Sequence, residues 1–440
     1  MLYYAHPDQA RGKEAVTVNG KRKRWFKLDN AAKLYPAVAT SRWSSMYRVS
    51  ALLASPVDKE TLQRAVDMVL PRFPAFKVRL KRGFFWFYFE ENTAPLYVLH
   101  EEGHPCMPLK FSENNGYMLR VLYGKNKISA EFFHALADGT GGLCFIKTLV
   151  TQYLNLTGVP VAFDNGALDP KDAPAASEYE DAFQRMPLPK VRTSRKETTA
   201  YHLHATREMP HTLNLIVASM PCDKVRALAK AMNVTMTEYL AGVMLYVLYL
   251  EAKKEKHAAR PIRISIPINM RQYFETRTLR NFSSFVNPWI DPRLGEYTFE
   301  EIVKTVHAFL AYYNNPKLLS AIISANVQDE RNLLIRLCPL PLKNFVINRV
   351  FKSAGDRLIS TTLTNLGRVL IPTGGEEAVK RFELCLGAPV TPVCSAAMLS
   401  TGNELLLAFS DNILEKTLPR ETLRFLVEQG VPVTVESNRE

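Results

Sequence analysis

Phe132-Phe-His-Ala-Leu-Ala-Asp-Gly-Thr-Gly-Gly142 sets an imidazole, His134, four residues before a carboxylate, Asp138, and continues into three glycines. Upstream, polar and apolar residues alternate from Lys127 to Phe133. Ile128, Ala130 and Phe132 therefore share one face of a predicted strand, and His134 has their parity, which points it inward. Downstream, Gly139, Gly141 and Gly142 free the backbone, and Leu143, Ile146, Leu149, Val150 and Leu154 then recur at helical spacing. The histidine stands where a strand turns into a helix. An imidazole there titrates near neutrality and can take a proton from a hydroxyl or an amine, while Asp138 fixes the loop that aims it. A core histidine beside an aspartate that caps the helix accounts for the same residues, and the spacing alone does not choose between the two readings.

At 440 residues the chain exceeds the usual size of a single core, so two halves are expected. Its six cysteines (Cys106, Cys144, Cys222, Cys338, Cys385 and Cys394) are scattered, with no C-x-x-C pair, which fits a reducing compartment and core thiols. The start, Met1 to Pro7, has no basic region followed by an apolar stretch, and the expected location is the cytoplasm. The longest apolar run, Tyr239 to Leu250, falls short of the roughly 20 residues that span a bilayer, so it reads as a buried helix and no transmembrane segment is expected. The net charge of +13 is spread along the chain, and no helix-turn-helix, zinc-finger or RNP-type pattern accompanies it, so nucleic acid is not an expected partner.

Along the first part, Asp29 or Asn30 caps a short helix ended by Pro36. Asp58 caps another with the stripe Leu62, Ala65, Val66, Val69 and Leu70. Ala75 to Lys81 and Phe84 to Phe89 form an aromatic hairpin that reads as core wall, and the hairpin of Met118 to Tyr123 with Lys127 to Phe133 delivers the chain to His134. The pattern weakens between Asn155 and Thr199, through five prolines and the charged stretch Arg192 to Lys196, and a boundary near residue 165 is expected there. The second part restarts with a strand at Leu213 to Met220 and a capping box, Thr235-x-x-Glu238, ahead of the long apolar helix. His202-x-His204 with His211 nearby lacks a completing carboxylate or cysteine, so no metal is expected. Ile262 to Ile268 is a strand running into Pro267-Ile-Asn-Met-Arg271. Another strand, Leu358 to Leu363, leads into Thr364-Asn-Leu-Gly367, which reads as a turn.

Taken together, His134-x-x-x-Asp138-Gly139 before a glycine-rich helix, Pro267-Ile-Asn-Met-Arg271 with Asn281-Phe282 and Val286-Asn287, Thr364-Asn-Leu-Gly367, and Leu28-Asp-Asn-Ala-Ala-Lys-Leu-Tyr-Pro36 resemble the superfamily of chloramphenicol acetyltransferase and nonribosomal-peptide condensation domains. Within it the chain looks most like bacterial alcohol O-acetyltransferases and the polyketide-associated and wax-ester-synthase-like acyltransferases. The resemblance implies an α/β fold of two pseudo-symmetric halves, 1–165 carrying the motif and 166–440 completing the donor site, with mixed sheets around a central tunnel. It also implies transfer of an acetyl or acyl group from a coenzyme A thioester to an alcohol, or less readily to an amine. His134 would be the general base, acyl-CoA a co-substrate, and no cofactor permanently bound. The positive field suits so polyanionic a substrate.

By the same resemblance the Asp138 carboxylate turns away from the histidine towards an arginine of the second half. Arg271 is the expected partner, with Arg263 and Arg280 as alternatives, and Asp138, Gly139 and Arg271 are orienting residues. Ser284, Asn365 or a backbone amide near Gly139 would stabilise the oxyanion. Phe133 stands where condensation domains carry a first histidine, which weakens amide formation with a carrier-protein thioester as an alternative. The Asp-Phe-Gly-Trp-Gly motif of plant acyltransferases is absent. An acyl carrier protein as donor and a non-catalytic binding protein of the same fold are the remaining alternatives.

Overall fold

In the computed structural model, which describes residues 16–18, 21–38, 44–186, 189, 197–255, 260–354, 356–389 and 394–439, the alternating segment before His134 is a central strand. The chain's first seven residues and the stretch 192–196 lie outside the described residues. Met46–Leu53 is β1, Lys59–Val69 is α1, Val98–His100 is β2, Leu119–Tyr123 is β3, Lys127–Phe133 is β4 and Gly139–Leu156 is α2. β4 lies antiparallel between β1 and β3, with Phe132 opposite both Tyr47 and Leu119, and β3 runs parallel to β2. Asp58 caps α1 by accepting the Thr61 N–H at 2.8 Å. The apolar stripes of α1 and α2 close over Phe73, Phe76, Phe132 and Phe145, whose rings meet edge-on or tilted.

The second part supplies β5 (Asn214–Pro221), α3 (Met236–Lys254), β6 (Ile262–Asn269), β7 (Ser283–Val286), β8 (Trp289–Ile290), α4 (Leu333–Leu337), α5 (Leu340–Ala354), β9 (Thr361–Arg368), β10 (Val379–Leu386), β11 (Ser395–Thr401), β12 (Glu404–Asp411) and β13 (Thr434–Ser437). These make one mixed sheet in the order β7-β6-β9-β11-β12-β5-β13, with β8 also on β6 and with parallel pairs at β6/β9 and β9/β11. One strand does not stay. β10 crosses to pair antiparallel with β1, so the first sheet reads β10-β1-β4-β3-β2 and its edge comes from the late part of the chain. The two sheets face each other across a cavity of about 210 Å³ lined by Arg48, Ser50, Lys127 and Glu383 on one side and Leu399 and Leu406 on the other.

α3 is apolar on every side and is buried against Ile262, Ile264, Leu405 and Leu407. Its capping box closes with Glu238 N–H on Thr235 Oγ1 at 3.3 Å and Thr235 N–H on Glu238 Oε2 at 2.7 Å. Among the described residues no single helix is long and apolar enough to cross a membrane.

Three local expectations are corrected. Pro36 lies inside the helix Leu34–Val38 rather than ending it, in the first turn where its missing N–H costs nothing. Thr364-Asn-Leu-Gly367 is not a turn after a strand but the irregular end of β9, whose register on β11 shifts between Asn365 and Arg368, where Gly367 takes a φ of 76°. The aromatic hairpin is core only in part. Its second strand begins at Phe87, Phe89 is buried, and Phe84 stands 72% exposed in the turn.

Candidate active site

β4 ends at Phe133, and the backbone N–H of His134 then donates to the Ser45 carbonyl at 2.8 Å, fixing the ring at the strand-to-helix turn. Tyr35 stacks on the imidazole, with centroids 4.6 Å apart and planes 18° apart, and Tyr47 meets it edge-on at 5.2 Å. Nδ1 lies 3.1 Å from Asn281 Oδ1. The amide orientation of Asn281 follows from its other contacts: Nδ2 lies 3.4 Å from both an Asp29 carboxylate oxygen and the Ala135 carbonyl, which can only accept. Oδ1 therefore faces the imidazole as an acceptor, Nδ1 carries the hydrogen, and the lone pair is on Nε2. Burial lowers the pKa of His134 below its ordinary 6.5, against smaller raising contributions from its own carbonyl, Asp138 and Asn281.

Asp138 divides its two oxygens between the roles that the spacing left open. Oδ1 caps α2 by accepting the Gly141 N–H at 3.2 Å; Oδ2 accepts Arg271 Nη1 at 2.8 Å and the Phe282 N–H at 2.9 Å. Arg271 further donates Nε to the Thr278 carbonyl at 2.8 Å and Nη2 to the Arg280 carbonyl at 2.5 Å, so it binds the 278–282 loop and the turn at once. The two other arginines are engaged elsewhere. Arg280 lies 3.3 Å from the buried Asp29, and Arg263 donates to the carbonyls of Thr198 and Leu358. Burial raises the pKa of Asp29, opposed by Arg280, the Ala32 N–H and Asn281. The Asp29–Arg280 pair thus stands behind Asn281 as the Asp138–Arg271 pair stands behind the turn.

The glycines explain how closely the two parts approach. A Cβ on Gly141 would fall 2.0 Å from the Leu279 carbonyl oxygen, one on Gly139 would fall 2.8 Å from Leu366, and one on Gly142 would meet the Tyr47 hydroxyl at 2.7 Å. That hydroxyl donates to the Asp138 carbonyl at 2.7 Å. Leu366 thereby brings the end of β9 against the start of α2. Ser284 is half-buried on β7, opposite Ile268. The Asn365 side chain donates to Thr237 Oγ1 at 2.8 Å and accepts the Gly367 N–H at 2.6 Å, which leaves one of its amide hydrogens uncommitted.

The structure thus gathers His134, Asp138, Gly139 and Arg271 at one junction, with Asn281, Tyr35, Tyr47 and Asp29 around the ring. The sequence reading gave these last four no part in the site. Asn281 and Asp29 belong to stretches it singled out, but nothing in a sequence tells which amide meets which imidazole. Ser45 was missed too. It has a φ of 49°, and its buried hydroxyl has no partner among the described residues.

No family profile and no curated protein sequence matches the chain. Solved structures do. Polyketide synthase associated protein 5 from Mycobacterium tuberculosis aligns at 14% identity over 91% of this chain and 96% of its own, with a TM-score of 0.59. The TRI3 trichothecene 15-O-acetyltransferase from Fusarium sporotrichioides aligns at 9% identity over 94% and 96%, also at 0.59. F. sporotrichioides TRI101, solved in complex with coenzyme A and T-2, aligns at 11% over 92% and 97%, again at 0.59. Condensation domains, including one from Monacolin K polyketide synthase MokA, match as well. At such identities the likeness is one of fold. The chain has the two-halved α/β fold shared by coenzyme A-dependent acyltransferases and condensation domains.

Proposed function

We propose that this protein is an acyltransferase that moves an acetyl or longer acyl group from a coenzyme A thioester to an alcohol, with His134 as the general base. The observation that supports it most is the fixed tautomer. Asn281 Oδ1 holds the hydrogen on Nδ1, burial keeps the ring neutral, and Nε2 is left as an acceptor. In this reading Nε2 takes the proton of the acceptor hydroxyl as its oxygen attacks the thioester carbonyl. The tetrahedral oxyanion then collapses, the C–S bond breaks, and the proton passes from Nε2 to the departing sulfur, which leaves as free thiol and restores the neutral imidazole. No acyl-enzyme forms. Ser284, the free amide hydrogen of Asn365, and the Gly139 N–H at the start of α2 are the candidate oxyanion donors. Asp138 and Arg271 orient the turn and take no proton.

The fold likeness to the TRI3 acetyltransferase and to the coenzyme A complex of TRI101 supports the class of reaction and the donor. The test mixes the protein with acetyl-coenzyme A and a panel of alcohols and amines and follows thiol release. Release that requires an alcohol supports transfer. No release with any acceptor, together with binding of coenzyme A, would leave a non-catalytic binding protein of this fold.

A further inference from the structure

Helix α5 is amphipathic with its faces reversed. Its inward side is polar: Lys343 is 5% exposed, with its ammonium 3.5 Å from the Trp86 ring centroid and 2.9 Å from the Phe85 carbonyl, and Asn348 donates to the Ala37 carbonyl at 2.7 Å. Its outward side carries Leu342, Phe345 and Val346, each at least half exposed. Beside it, α4 leaves Leu333, Leu334 and Leu337 exposed, with Leu334 at 80%. The aromatic turn joins the same surface, because the Leu340 N–H donates to the Phe84 carbonyl at 2.9 Å and Lys343 Nζ reaches the Arg336 carbonyl at 3.3 Å. A helix folding for its own protein's core would bury the leucines and expose the lysine.

The charge on this surface has one sign. Residues 332–354 contain Arg336, Lys343, Arg349 and Lys352 and no acidic residue, and Lys81-Arg-Gly-Phe-Phe-Trp86 adds two more cations. Among the described residues Arg82, Arg336 and Arg349 have no carboxylate partner. Arg336 lies between Ile335 and Leu337, and the Arg349 guanidinium is 5.4 Å from the Phe345 ring, so the cations stand within the apolar surface and not around it. A protein interface gathers its charges at the rim. Cations interspersed with leucine and phenylalanine suit the depth at which side chains reach lipid headgroups while apolar neighbours enter the acyl boundary.

We propose that α4, α5 and the Phe84 turn form a docking surface for an anionic lipid bilayer, on which the protein lies without spanning it. The inference rests on this surface alone and not on the chemistry of His134. It is tested by sedimenting the whole protein with vesicles of phosphatidylcholine and with vesicles that also contain phosphatidylglycerol. Wild type is expected to partition onto the phosphatidylglycerol vesicles and to be released progressively as salt is raised. Leu334→Glu and Phe345→Glu, at exposed positions that leave the melting temperature unchanged, should each lower the bound fraction by about tenfold. Arg336→Ala with Arg349→Ala should remove the preference for the anionic lipid. Wild type remaining in the supernatant with both vesicle types, or either glutamate variant binding as wild type does, overturns the proposal. So does a wild-type dimer that Leu334→Glu converts to monomer without any vesicle binding, because a second copy would then be the occupant.

Discussion

Burial holds the His134 pKa below 6.5, so the imidazole is neutral across the neutral range and its hydrogen stays on the Asn281 side. Replacing Asn281 with aspartate puts a carboxylate against Nδ1, and an opposite charge at that range raises a histidine pKa by about one unit or more. The pH midpoint of kcat/KM in Asn281→Asp should therefore move upward, and a midpoint identical to wild type would mean that Asn281 does not face the working imidazole. The same lowered pKa has a consequence for folding. The unfolded chain, with its histidine near 6.5, binds more protons than the folded one in the window below that value, so stability rises with pH there and is lost as pH falls. His134→Gln should flatten that part of the dependence, measured as denaturation midpoints from about pH 5 to about pH 7.5. The position of His134 and Asp138 was legible in the sequence because alternation and glycine spacing report local geometry. The ring's partners Tyr35, Asn281 and Asp29 were not, because contacts between residues far apart in the chain leave no periodic mark.

At the scale of elements, the strand-to-helix turn is fastened to the 278–282 loop by two devices. The first is the Asp138–Arg271 pair, buried on both sides. Removing one partner of such a pair costs about 3 to 5 kcal/mol because the other charge is left uncompensated. Asp138→Asn and Arg271→Met should each lower the melting temperature and the activity, and the double variant should lose less than their sum by roughly 0.5 to 3 kcal/mol. Additive losses would mean that the pair is not coupled in solution. The second is the close approach at Gly141. Glycine to alanine inside a helix ordinarily gains about 1 kcal/mol, but here the new methyl meets a backbone carbonyl that no rotamer change can move. Gly141→Ala should therefore destabilise, by about 1 to 3 kcal/mol as overpacking does, and a neutral or stabilising result in a denaturant titration would show that the contact is looser. Capping boxes and the Asp58 cap were readable because their partners lie three residues away. The irregular end of β9 was not, since Asn and Gly read equally as a turn or as a bulge, and only the neighbouring strand decides.

For the whole molecule, the strand that matters most is the one that changes sheet. β10 has the composition of an ordinary strand, and nothing in residues 379–386 says that its partner is β1. The division near residue 165 remains our proposal for the two halves, with the first incomplete until β10 arrives. A fragment of residues 1–165 leaves β1 with an unpaired edge over an apolar face and is expected to aggregate. A monodisperse, cooperatively melting fragment in size-exclusion chromatography and calorimetry would contradict that.

The central claim is that one imidazole at the junction of the halves takes the acceptor's proton. The measurement that tests it most directly is kcat/KM for acceptor-dependent thiol release from acetyl-coenzyme A, taken across pH 5 to 8 or so for wild type and His134→Ala, with the folded state of both confirmed by their melting. Wild type should rise through a midpoint below 6.5 and level off. His134→Ala should lose about 10² to 10⁴ in rate together with that pH dependence. Undiminished transfer by His134→Ala, on the same pH profile as wild type, would contradict the account.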